Sequence, residues 1–200
     1  MTAMTSGDVG AQIRYYAAIA TGLQLSEEYE QAIRYFDLAL LPWTGETVSA
    51  QDLSEAVVFG SGRPTVLVPA TSTVAGIDHV AIAWDASRFA ARALYDALPY
   101  LAEGGRISVL TVKDEKPLSG ADPAGTLASW LKTRGYDAKS VDIALDKRSI
   151  STALQDAALS EGAKLLAMGG FGHSRLRDFV LGGATKGVLK EIKLPVLLSH

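Results

Sequence analysis

Met168-Gly-Gly-Phe-Gly-His-Ser-Arg-Leu-Arg-Asp-Phe-Val-Leu-Gly-Gly-Ala-Thr185 decides how this chain is read. The apolar run Leu165–Met168 leads into it and predicts a buried strand. Behind it, Ala184–Ile192 predicts a short helix. Glycines therefore stand where the carboxyl end of a strand hands over to the amino end of a helix. In open parallel sheets ligands bind at that position. Glycine lets the backbone approach a ligand closely and adopt positive φ. The free amides of a helix start favour an anion, most often a phosphate.

Working back from this stretch, strands and helices alternate. His79–Ala83 is a predicted strand, Ser87–Ala102 a helix whose last turn Pro99 can kink, Ile107–Val112 a strand and Asp122–Thr133 a helix. Ser140–Ala144, Ser149–Glu161, Leu165–Met168, Ala184–Ile192 and Val196–Ser199 continue the alternation. Such a pattern argues an α/β fold, a doubly wound parallel sheet with helices on both faces. Trp130 and the leucines around it read as core.

The front of the chain is less regular. Ile13, Tyr16, Ala17, Ala20, Tyr29 and Ile33 recur at near-helical spacing, and Ser26-Glu27-Glu28 reads as a helix start. Phe36–Leu41 reads as a strand, Pro42–Glu46 as a loop, Gln51–Phe59 as a helix and Thr65–Val68 as a strand. This strand-helix-strand run, closing on Arg63-Pro64-Thr65-Val66-Leu67-Val68, mirrors Lys164–Met168 and the elements up to Leu194-Pro195-Val196-Leu197-Leu198. The expected organisation is a partial, degenerate copy over 1–70, a linker at 71–78 and a complete unit over 79–200. Trp43 lies in the degenerate copy's loop, where it would plug a pocket.

Composition excludes several classes of function. A formal charge of -3 lacks the basic surplus of a nucleic-acid binder. With no cysteine, thiol catalysis and zinc-cysteine sites are out. No apolar run approaches the ~20 residues of a membrane span. The amino-terminal Met-Thr-Ala-Met-Thr-Ser-Gly-Asp has no secretory pattern, so the cytoplasm is expected. The glycine loop is not Gly-x-x-x-x-Gly-Lys-Ser/Thr, and the first strand of 79–200 is followed by Asp-Ala-Ser rather than Gly-x-Gly-x-x-Gly. A P-loop phosphotransferase and a dinucleotide dehydrogenase are both disfavoured. Nothing in the sequence requires a catalytic residue. His79 and His200 show no metal spacing, and His173 has no neighbouring acid to orient it.

Residues 79–200 resemble the universal stress protein family. Gly169, Gly172 and Gly182 match its Gly, two residues, Gly, nine residues, Gly motif; Asp85 and Ser87 match its Asp-x-Ser after the first strand; Pro195-Val196-Leu197 closes the pattern. The front half-repeat looks like the tandem arrangement of some members. The resemblance implies five parallel strands in the order 3-2-1-4-5 and an adenine-nucleotide site for ATP, with or without magnesium. Carried over, that site comprises Ala83, Trp84, Asp85, Val112, Met168, Gly169, Phe171, Gly172, Gly182, Gly183, Ala184 and Thr185. It also implies edge-to-edge pairing of last strands: Thr65–Val68 with Val196–Ser199, within one chain or across a homodimer.

Two residues depart from the pattern. Gly183 replaces the usual Ser or Thr, removing a hydroxyl that would donate to phosphate. Losing a hydrogen bond to a charged group is about 1.5–3 kcal/mol, roughly tenfold to a hundredfold in affinity. Thr185 and Ser174 are candidate replacements. Trp84 stands where a small residue is common, and would either stack on the base or fill the pocket. The bland readings stay open beside these: a glycine loop serving turn geometry, Asp85 as a helix N-cap, and Arg175, Arg177 and Lys186 on a solvated face. An interaction module of the same fold with an empty pocket is the alternative function.

Overall fold

The computed structural model describes residues 2–5, 14–17, 31–43, 48–73, 76–113, 122–170 and 183–200. Strands β1 (Thr2–Thr5) and β2 (Arg14–Ala17) form an antiparallel ladder of their own. Where near-helical spacing predicted a helix through Tyr16, the chain is therefore extended. Adjacent Tyr15 and Tyr16 favour a strand locally. The predicted helix start at Ser26 lies outside the described residues.

The remaining strands make one seven-stranded sheet, in the order β3-β4-β9-β8-β5-β6-β7. They are β3 (Ala39–Trp43), β4 (Thr65–Pro69), β5 (His79–Ala83), β6 (Arg106–Val112), β7 (Asp137–Ile143), β8 (Leu165–Gly169) and β9 (Val196–Ser199). All neighbours are parallel except β4 and β9, which pair antiparallel with Val66 opposite Leu197. Within 79–200 the strands thus lie third, second, first, fourth, fifth along the chain order.

The repeat seen in sequence recurs in the hydrogen bonds. Ala39 N donates to Pro64 O at 3.0 Å, and Leu166 N donates to Pro195 O at 3.0 Å. In each case the strand after the proline enters its parallel ladder at the same offset. Pro42 and Trp43 belong to β3 rather than to a loop. Since Ala39 N points to β4, the alternation of a parallel ladder turns Pro42's missing donor to the open edge, where proline is tolerated.

Helices α1 (Val48–Gly60), α4 (Ile150–Ser160) and α5 (Gly183–Lys190) cover one face; α2 (Arg88–Ala97) and α3 (Pro123–Thr133) cover the other. The first layer buries Val58, Ala153, Leu154, Val188 and Leu189 against Ala81, Leu110, Leu166 and Leu198. The second buries Ala93, Leu94, Ala128 and Leu131 against Ile82, Val109, Ala167 and Leu197. Strand residues alternate between the two layers, as the two-residue period requires. Pro99 ends α2 early: the chain passes into a 3-10 turn over Leu98–Tyr100. Ser87, Asp122 and Ser149 cap α2, α3 and α4, each accepting from the amide three residues on.

Candidate functional site at the carboxyl edge

β5 and β8 are adjacent at the centre of the five parallel strands, with Ile82 beside Ala167. Their carboxyl ends therefore bring Asp85 and the start of the glycine stretch to neighbouring strands, spaced about 4.8 Å apart. The turn after β5 is tight. Asp85 Oδ1 accepts from Ser87 N at 3.0 Å, and Ser87 Oγ accepts from Ala90 N at 3.1 Å. Ala86 between them has φ 58°, a left-handed conformation that costs a non-glycine residue roughly 1–2 kcal/mol. Ser87, not Asp85, is the helix cap, and Asp85 sits at the turn, half-buried.

Ala83, Val112 and Met168 all face the layer of α4 and α5. Trp84 lies on the opposite face, packed with the α2 and α3 layer. Its side chain therefore packs, partly buried, on the α2 and α3 layer, away from the face shared by Ala83, Val112 and Met168. The indole Nε1 is buried with no hydrogen-bond partner among the described residues. Trp84's backbone is tied to β6: its amide donates to Leu110 O at 2.8 Å, and its carbonyl accepts from Thr111 Oγ1 at 3.2 Å.

Gly169 has a packing reason to be glycine. A Cβ there would lie 2.6 Å from Phe89 Cβ and 2.8 Å from Phe89 C, so β8 can approach the start of α2 only without a side chain. Gly170 donates to Ser199 O at 2.7 Å, and its carbonyl meets His200 Nδ1 at 3.2 Å. The His200 ring stacks on Phe89 with centroids 5.2 Å apart and meets Phe59 edge-on at 5.0 Å. These aromatics join α1 to α2 across the strand ends. Sequence spacing did not flag them, because the residues lie far apart in the chain.

Gly183 opens α5. A Cβ there would meet nothing within 4 Å among the described residues, and the first turn of α5 contains no acid. Ala184 packs against the core and Thr185 is buried. Lys113, after β6, pairs with Asp142 at 2.8 Å. Phe171, Gly172 and Gly182 lie outside the described residues, as do His173, Ser174, Arg175 and Arg177. No group of three or more metal-ligating side chains occurs among the described residues. No helix among them is long and apolar enough to cross a membrane. Trp43 is buried at the end of β3, in the layer of α1, and its Nε1 has no hydrogen-bond partner among the described residues.

The sequence profile of the universal stress protein family matches residues 76–200. Among solved structures, a universal stress protein from Archaeoglobus fulgidus DSM 4304 superposes with a TM-score of 0.69 at 19% identity, covering 87% of this chain. The chain spans 64% of the length of that protein. A universal stress protein family member from Burkholderia pseudomallei aligns at 21% identity, over 62% of this chain and 97% of its own, with a TM-score of 0.47. A universal stress protein in complex with cAMP aligns at 18% identity, over 63% and 99%, also with a TM-score of 0.47. No curated protein matches the chain.

Proposed function

The chain belongs to the universal stress protein family, and from that premise we propose that the carboxyl edge of its sheet binds an adenine nucleotide, ATP with or without magnesium. In this reading it acts as a cytoplasmic stress-response protein whose bound state is read by a partner. Asp85 holds the nucleoside, the backbone at Val112 meets the base, and the glycine stretch with the amino end of α5 takes the phosphates. One arrangement carries the reading. The Asp85 turn and Gly169–Gly170 end adjacent central strands on the edge where open parallel sheets bind ligands.

The chain is read as a half unit over 1–70, a linker at 71–78 and a whole unit over 79–200. The β4–β9 ladder then serves as the family's edge-to-edge pairing inside one chain, and β9, flanked by β8 and β4, has no edge left for a homodimer.

The second reading, an interaction module without nucleotide, draws on two observations. Gly169 is accounted for by Phe89 alone, and Gly183 supplies no hydroxyl. Mass spectrometry of the supernatant after denaturing purified protein should detect an adenine nucleotide. ATP-Mg at ~100 times its dissociation constant should add about 2.7 kcal/mol of stability, and Asp85→Ala should remove that gain. Gly183→Ser, which restores the family's hydroxyl, should raise affinity tenfold or more. No nucleotide and no thermal shift from a folded protein decides for the interaction module.

A further inference from the structure

At the opposite edge, where β5, β6 and β7 begin, a line of polar side chains runs out from the core. His79 Nε2 lies 2.9 Å from Ser108 Oγ, and Ser108 Oγ donates to Glu161 Oε2 at 3.3 Å. The same carboxylate oxygen is paired with the Lys139 ammonium. His79 is 1% exposed and Ser108 fully buried, so this relay is not a surface pairing.

The hydrogens of the relay can be assigned. A carboxylate only accepts, so Ser108 gives its hydrogen to Glu161 and its oxygen accepts from His79 Nε2–H. The imidazole is then the neutral tautomer with a bare Nδ1. That atom is buried and has no partner among the described residues. A hydrogen on Nδ1 would be a donor with no acceptor, on a charged ring, inside the core. Either term alone is costly.

The charged groups around the ring do not offset this. Arg106 on β6 and Lys139 on β7 oppose a second positive charge; Asp78 before β5 and Glu161 at the end of α4 favour it. Burial comes first, with Arg106 next, and together they hold the His79 pKa below that of an ordinary imidazole. From β8's side, Lys164 reaches His79 through the backbone, its amide donating to His79 O at 2.8 Å.

We propose that the His79–Ser108–Glu161 relay is an acid-triggered release at the amino edge of the sheet. Uptake of a proton at Nδ1 can be accommodated only if the ring leaves its site and the start of the β5–β6 ladder opens. The sign follows from linkage. Because the folded state resists the proton, the unfolded or locally open state takes it first as pH falls through about 6.5, the ordinary imidazole value. Stability is full above that pH. Below it, the ratio of closed to open falls by up to tenfold per pH unit until the folded state titrates too. Carboxylates give way only in more acidic solution, near pH 4, so the two effects separate.

Two measurements on the full chain test this. In the wild type, nitrogen NMR of His79 should show the Nε2–H tautomer near neutrality and protonation only below about pH 6.5. Amide exchange at Val80 and at Arg106, whose amide donates to Asp78 O at 2.9 Å, corrected for intrinsic rates, should accelerate by up to tenfold per pH unit below that point. His79→Gln keeps a donor for Ser108 but cannot take the proton, and should lose the acceleration. A His79 that titrates at or above the ordinary value, or an equal acceleration in His79→Gln, overturns the proposal. Should His79→Gln not fold, the wild-type titration decides alone.

Discussion

Turns that lead from a helix into a strand place their left-handed residue on glycine: Gly62, Gly104, Gly135 and Gly162. Among the described residues, turns that lead from a strand into a helix place it on Ala86, Asp146 and Lys147. Within the five parallel strands these are opposite edges of one sheet. Glycine adopts positive φ without a steric penalty, whereas each of the other three costs roughly 1–2 kcal/mol. Among the described turns, those at the amino edge thus form cheaply, and those at the carboxyl edge keep strain. That strain coincides with aimed side chains. Asp85 bonds across Ala86 to Ser87 N, and Arg148 folds back onto Ala144 O at 3.0 Å beside Asp146 and Lys147. Backbone strain of this kind persists where surrounding structure holds it and tends to gather at functional sites.

The contrast can be broken from either side. The largest effect is expected at Gly169→Ala, where the new Cβ meets the backbone of Phe89. Overpacking there should cost about 3 kcal/mol in a urea melt, and a cost near zero would remove the packing account of this glycine. Next come Gly135→Ala and Gly162→Ala. Both have open space around the missing Cβ, so each should lose about 1–2 kcal/mol from backbone conformation alone. Ala86→Gly runs the other way. Relief of strain should stabilise the fold by up to about 1 kcal/mol, while loosening Asp85 should weaken ATP binding. A variant that is less stable, or stable with unchanged binding, would show that the strained turn does not serve the site.

The smallest effect belongs to Asp156. Its hydrogen bond from Lys193 at 2.8 Å holds its carboxyl below the usual range, with burial opposing and Arg148 adding to the lowering. A lowered carboxyl contributes stability above its unfolded pKa, and loses it as pH falls through the folded value. Asp156→Asn should therefore lower stability above about pH 4, leave it unchanged in stronger acid, and so flatten the acid limb of the melt. The pair is part-exposed, so the change should stay within about 0–1 kcal/mol.

Much of this was legible because it is local. Helix starts were read at Ser87, Asp122 and Ser149, and each of these residues is an N-cap, whereas Asp85, read as a cap, is not. Runs of two-sided apolar residues marked β5, β8 and β9 as strands buried on both faces. Proline misled at β3, since its tolerance depends on being at an edge, and edges are assigned by which strands pair. Trp84 shows the same limit at the site. Its alternation with Ala83 could be read from the chain, but which layer faces a ligand could not.

The sequence by itself determined the α/β layering, the order of elements over 79–200, and that Asp85 and Gly169 arrive at the carboxyl edge. These follow from period, capping and turn chemistry, which act over a few residues. Only the tertiary structure decided that Gly169 is demanded by Phe89, that Trp84 joins the α2 and α3 layer, and that His79, Ser108 and Glu161 form one relay. Those contacts join residues 29, 53 and more positions apart. Their energies come from close packing and shared burial, which exist only once the sheet has brought distant strands together.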